Sequence, residues 1–248
     1  MIGRIALVAL TALLLAGCGT KGTDGNASAA AAPIAAVAPP AGQQWTDVVA
    51  KTADGYRMGN PDAPLKLVEY GSRLCPVCGN FGRTGQEPLE NDYVKTGKVS
   101  YEFREFLVHG APDMPGALLG RCVDPQAFFP LLEAMFRDQD EMEPKLADSQ
   151  AVARLQQSLA GASPQKVANG WADYLGYVDF VKQRGIPESK ARACLNDKPA
   201  LDHITQVMQD AAQNKNVNGT PTFFLNGQQL ENVYTWDGVK ARLDAAGA

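Results

Sequence analysis

The chain is poor in histidine and cysteine. Only His109 and His203 occur among its 248 residues, and they stand far apart. A zinc site draws on four Cys, His or carboxylate ligands, commonly in paired short spacings. One C-x-x-C, Cys75 to Cys78, has no second to complete such a set, so no metal centre is expected. Clustered lysine and arginine are missing as well, and the net charge is -4. Without a basic block the chain cannot neutralise a run of phosphates, so no nucleic-acid partner is expected. The apolar run at residues 5–16 falls short of the about 20 residues that a membrane-spanning helix needs. What remains is ordinary: 45% hydrophobic and 20% charged residues suit a soluble domain with a substantial core.

The apolar run follows Arg4 and closes on Leu15-Ala16-Gly17-Cys18. A positive residue, a short apolar stretch and small residues at its edge make an export signal. The closing tetrapeptide resembles a bacterial lipobox, in which the cysteine is acylated and the chain is cut before it. Residues 1–17 are thus expected to be a lipoprotein signal peptide and Cys18 the lipidated residue. An ordinary signal peptide with an incidental cysteine is the alternative. Residues 18–43 are rich in Gly, Ala, Ser and Pro with little apolar surface to bury, which predicts a disordered tether. The expected location is the bacterial cell envelope or periplasm, with a lipid anchor in the membrane. Gly19 resembles the outer-membrane type of lipoprotein more than an Asp-marked inner-membrane type.

Folded sequence is expected from about Trp45. Residues 65–70 are apolar and partly alternating, as a strand requires. A helical pattern then runs from the C-x-x-C to about Lys95, with Pro88 predicted to kink it and Gly97 to end it. Residues 99–106 alternate as a second strand. Helical spacing fills residues 116–121, 128–138, 149–160, 164–181, 187–195 and 199–213, with Asp124, Ser163 and Asp197 as expected helix starts. Phe128, Phe129, Trp171 and Tyr174 read as core aromatics, and His109 as a surface loop residue without a partner. A short strand at 222–225, the Asn226-Gly227 turn and a strand at 228–233 predict a hairpin. A helix at 235–246 closes the chain. The fold class is therefore α/β, a thioredoxin-like fold with an inserted all-helical subdomain. The expected divisions are 44–110, the helical insertion 111–214, and 215–248.

Two cysteines separated by two residues can close a strained, reducible disulfide. At the junction of strand and helix, Cys75 sits at a helix N-terminus, where unpaired N–H groups and the helix dipole favour a thiolate. Pro76 suits the first turn because it has no N–H to leave unpaired. Cys75 is thus the expected nucleophile and Cys78 the resolving thiol. No cofactor is expected beyond that redox-active pair.

The stretch Val68-Glu69-Tyr70-Gly71-Ser72-Arg73-Leu74-Cys75-Pro76-Val77-Cys78 resembles the active-site segment of DsbA-like thiol–disulfide oxidoreductases. So do Pro61-Asp62-Ala63-Pro64, the segment from Gly97 to Phe106, and Val217-Asn218-Gly219-Thr220-Pro221-Thr222-Phe223-Phe224-Leu225-Asn226-Gly227. The resemblance runs from about Met58 to the C-terminus and is weakest in the helical insertion. It implies a buried acid at Glu69, which exchanges a proton with Cys78. It implies a cis-proline at Pro221 facing the disulfide, with Thr220 beside the sulfurs at the substrate-binding edge. It also implies a structural disulfide between Cys122 and Cys194; two buried free thiols are the alternative. The implied partners are exported proteins that carry cysteines and a membrane redox partner that regenerates the centre.

One residue departs from the resemblance. Strong oxidants of this group often carry His where Val77 stands, and valine offers neither charge nor donor. The substitution predicts a less acidic Cys75 and a less oxidising disulfide than a Cys-Pro-His-Cys centre would have. A dithiol oxidase is the first reading. A reductase or isomerase is the alternative, and a lipid-anchored binding or chaperone module is a third.

Overall fold

The structure, a computed structural model, describes residues 31–248. The expected signal peptide and Cys18 lie outside the described residues. Two short strands missing from the sequence reading come first: β1 (Val49–Lys51) and β2 (Tyr56–Met58), an antiparallel pair. Three residues are too few for an alternation to register against its surroundings. β3 (Leu65–Gly71) and β4 (Val99–Glu105) run parallel, joined by helix α1 (Pro76–Pro88). β5 (Thr222–Leu225) pairs antiparallel with β3, and β6 (Gln228–Gln229) with β5. The sheet order is β1-β2-β4-β3-β5-β6. Helix α10 (Trp236–Ala245) closes the chain, with the Thr235 hydroxyl accepting from the Gly238 N–H.

Pro88 ends α1 because it has no N–H for the preceding turn. The chain widens there into a π-turn over Leu89–Tyr93, tightens over Val94–Thr96 and stops at Gly97. The second hairpin strand is shorter than predicted. Leu230 still donates to the Phe223 carbonyl at 2.8 Å, but Asn232 turns to φ 57° and takes the chain away from the sheet.

Between β4 and β5 lie α2 (Met114–Gly120), α3 (Phe128–Arg137), α4 (Glu143–Ala147), α5 (Ser149–Ser158), α6 (Pro164–Leu175), α7 (Tyr177–Lys182), α8 (Glu188–Leu195) and α9 (Lys198–Asn214). One helix predicted over 164–181 is two. Gly176 adopts φ 87°, a left-handed cap that glycine takes without a Cβ clash, and α7 restarts beyond it. Ser163 and Asp197 cap α6 and α9 through their side chains, whereas Asp124 makes no such bond. Cys122 and Cys194 are joined as a disulfide, with Cα atoms 5.9 Å apart.

The core has two main parts. One lies between sheet and helices and includes Leu67, Phe81, Tyr101, Phe103 and Phe223. The other fills the helical insertion around Leu119, Trp171, Tyr177 and Leu195. Helix α3 belongs to both. Phe128, Phe129, Leu132 and Phe136 face the first core, and Leu131, Ala134 and Met135 face the second.

The expected tether is tied down over its last part. Ala31 donates to the Ala245 carbonyl at 3.1 Å, Ile34 to Gly247 at 2.7 Å and Val37 to Thr96 at 2.9 Å. The Trp45 indole N–H donates to the Val37 carbonyl at 2.7 Å. These bonds satisfy backbone groups that composition alone leaves to solvent.

Candidate active site

Cys75 is the N-cap residue of α1, and the Cys78 N–H points at its sulfur from 3.5 Å. The Cys75 thiol faces the Thr220 carbonyl at 3.3 Å, and the Thr220–Pro221 bond is cis. The Thr220 hydroxyl is buried without a hydrogen-bond partner in good geometry, so it is free to turn toward a thiolate. The Cys75 thiol is pulled down to about 5. The hydrogen bond with the Cys78 side chain contributes most; burial opposes it; the Thr220 side chain and the backbone N–H groups of Cys78 and Val77 assist. The Val77 side chain points outward and is 44% exposed.

Cys78 is fully buried one turn deeper. Burial, the hydrogen bond with Cys75 and the Glu69 charge push its thiol well above the ordinary range. Glu69 lies on β3, on the same side as Leu65 and Leu67, and is fully buried. Its Oε2 accepts from the Tyr101 hydroxyl at 2.6 Å, while Oε1 has no partner. Burial lifts its carboxyl to about 8; the Tyr101 bond opposes the rise, and Cys75 and Glu105 add to it. Nucleophile, buried thiol and raised acid thus stand together, each titrating away from its neighbour.

Three supports of this arrangement were not anticipated. Gln139 donates through Nε2 to the backbone carbonyls of Cys75 at 2.9 Å and Arg73 at 3.1 Å, fixing the loop from behind. It gets that close because residue 79 is glycine: a Cβ there would lie 2.1 Å from Gln139 Oε1. Arg73 is buried and pairs with Glu105, at 2.7 Å from Nη2 and 3.0 Å from Nε. Its guanidinium carbon lies 5.1 Å from the Phe128 ring centroid. One signal for the pair was present in the sequence: Glu105 falls on the inward parity of Val99, Tyr101 and Phe103.

The third support overturns the reading of His109 as partnerless. Its ring Nδ1 lies 3.2 Å from both carboxylate oxygens of Asp113, and its backbone N–H donates to Asp113 Oδ2 at 2.7 Å. Asp113 also accepts from Ser72 Oγ at 2.8 Å. Ser72 stands three residues before the nucleophile.

A groove of about 230 Å³ is lined by residues that include Thr220, Pro221, Leu230, Val233 and Tyr234. Tyr234 is 51% exposed at its rim. Among the described residues no helix is long and apolar enough to cross a membrane.

The Thioredoxin family model matches residues 51–245. A protein-disulfide isomerase from Novosphingobium aromaticivorans, of known crystal structure, is 30% identical with a TM-score of 0.73; the match covers 77% of this chain and 97% of that one. A protein-disulfide oxidoreductase of Rickettsia bellii is 26% identical over 76% of this chain. This chain spans only 63% of that relative's length. Disulfide bond formation protein D of Bacillus subtilis is 22% identical, over 75% of this chain and 74% of its own.

Proposed function

On the premise that this chain belongs to the thioredoxin family, in its DsbA-like group, we propose that it is an extracytoplasmic thiol–disulfide oxidoreductase that works as a dithiol oxidase. Its clients are exported proteins with cysteine pairs. A client thiolate attacks Cys75 Sγ, the Cys75–Cys78 bond breaks, and its electron pair leaves on the Cys78 sulfur. Glu69 gives that sulfur a proton, as both groups are fully buried and the Glu69 charge is felt at the Cys78 sulfur. A second client thiolate then attacks the client sulfur of the mixed disulfide, and Cys75 departs as a thiolate. The client dithiol is oxidised by two electrons and the enzyme is reduced by two. A membrane redox partner restores the disulfide. Thr220 and Pro221 bind the extended client beside the sulfurs, the Cys122–Cys194 disulfide is structural, and Cys18 carries the lipid anchor in the envelope, outer membrane before inner.

The observation that carries this reading is geometric: Cys75 caps α1 with its sulfur toward the Cys78 N–H, while Cys78 is fully buried a turn deeper. Cys75 is drawn down to about 5 while Cys78 is held far above its ordinary value. A stabilised thiolate favours the dithiol state, which makes the disulfide a good oxidant. Equilibration with glutathione tests it. The expected potential is well above thioredoxin's roughly -270 mV; a value at or below that figure removes the oxidase reading and leaves a reductase. Cys78→Ala should trap mixed disulfides on Cys75, and an absence of trapped clients would favour the binding module. Cys18→Ser should release the protein from membranes.

A further inference from the structure

The C-P-V-C centre has no charged side chain between its cysteines, yet an imidazole reaches the same neighbourhood from another element. His109 stands in the loop between β4 and α2, with its side chain 41% exposed. Asp113, whose carboxylate is 2% exposed, grips it by ring and backbone. Among the described residues His109 is the ion-pair partner of that carboxylate. A buried carboxylate with one cation in reach favours the charged imidazolium.

The other hand of Asp113 holds the reactive loop. Ser72 Oγ donates to Asp113 Oδ1 at 2.8 Å and accepts from the Leu74 N–H at 3.1 Å. The Ser72 carbonyl accepts from the Cys75 N–H at 3.2 Å. Ser72 therefore stands between Asp113 and Cys75, with its side chain bonded to Asp113 and its carbonyl to the nucleophile's own backbone N–H. We propose that His109, positioned by Asp113, supplies the cation that Val77 does not, stabilising the Cys75 thiolate whenever the imidazole is protonated.

The groups that face this unit are few. Asp113 raises the His109 titration most, partial burial opposes it, and the Cys75 charge raises it further. Coupling between two charges is mutual, so an imidazole favoured by the thiolate favours the thiolate in return. Behind Asp113 lie Tyr177, whose buried hydroxyl has no partner, and the Arg73–Glu105 pair. Beside Cys75 lie Cys78 and Glu69. The raised His109 pKa fixes the sign: support for the thiolate is complete at acid pH and fades as pH rises through that value.

This inference rests on the oxidoreductase reading but can fail separately from it. The first measurement needs no variant: NMR titration of His109 in the wild-type protein with the Cys75–Cys78 pair reduced and then oxidised. The midpoint is expected to be higher in the reduced form, and equal midpoints overturn the proposal. The second compares His109→Gln, His109→Lys and the control His203→Gln. Thiolate absorbance should place Cys75 in the Gln variant about half a pH unit or more above wild type, a roughly threefold change. The glutathione equilibrium should move the same way at pH 5.5, by about twofold because the thiolate is only partly formed there, and by less at pH 8.5, in step with the imidazolium lost in the His109 titration just described. Lysine, charged at both pH values, should restore the low midpoint and remove the pH dependence; the control should match wild type. A Gln variant that titrates like wild type overturns the proposal. A wild-type protein that does not exchange with glutathione sinks the oxidoreductase reading instead, while both His109 titrations still report.

Discussion

Replacing Glu69 by Gln isolates the energetic cost of the buried acid. Its carboxyl titrates near 8 in the fold against an ordinary value of 4.5, chiefly because burial disfavours the charged form. The folded protein therefore binds a proton that the unfolded chain releases between those values. A raised carboxyl pKa means that stability is fully present at acid pH and is lost as pH climbs toward 8. One pKa unit corresponds to about 1.4 kcal/mol, so the loss is under about 1 kcal/mol at pH 5, about 2 at pH 6 and about 3 at pH 7. Gln keeps an oxygen to accept from Tyr101 but has no proton to lose. Urea unfolding of the reduced proteins at pH 5, 6, 7 and 8 is the assay. The two curves should nearly coincide at pH 5. At pH 7 the variant should unfold at a midpoint about 1 M or more higher, given usual urea slopes of about 1–3 kcal/mol per M. A variant advantage that does not grow with pH would refute the reasoning, as would a variant less stable than wild type at pH 7.

Other perturbations have equally definite outcomes. Thiolate absorbance of the reduced wild-type protein should rise around pH 5, and Cys75→Ser should remove that transition while Cys78→Ser keeps one in the acid range. Glu105→Gln strands the buried Arg73 charge and should cost about 3–5 kcal/mol in urea unfolding, more than a simultaneous Arg73→Met, Glu105→Leu exchange. Losing the Cys122–Cys194 disulfide, which spans 72 residues, should cost about 4 kcal/mol by the chain-entropy relation, read from the denaturation midpoint of the double Ser variant. Glu133 is lifted to about 7 by burial and then by its contact with Glu90, so Glu133→Gln should raise stability at pH 8 and leave it unchanged at pH 4.5.

Much of the fold could be read from local pattern. Alternation in β3 and β4, the Asn226-Gly227 turn and the helix starts at Ser163 and Asp197 are local signals, and the structure places elements at each. Glu69 was marked only by the family resemblance, since a carboxylate in a strand otherwise reads as solvent-facing. What escaped depends on distance. Gln139 meets the Cys75 loop from 64 residues away, and Arg73 finds Glu105 across 32. Neither looks unusual in sequence, because a polar residue in a loop is the common case. His109 was misread for a different reason. Asp113 is only four positions on, but its turn from Gly110 through Ala111–Asp113 carries no repeating pattern to announce it. The strands β1 and β2 are simply shorter than any periodicity can report.

The double allegiance of α3 makes the molecule a single cooperative unit. Helix α3 buries seven of its ten residues against the two cores and keeps Pro130, Glu133 and Arg137 as its outward stripe. Melting the helices packed behind α3 would expose Leu131, Ala134 and Met135 to water, and melting the sheet would expose Phe128, Phe129 and Phe136. Excision of the helical block therefore cannot leave behind a minimal redox domain. The insertion is a wall of the core that holds Cys75 and Cys78, because Phe128, Phe129 and Phe136 of α3 stand in the same apolar cluster as the sulfurs.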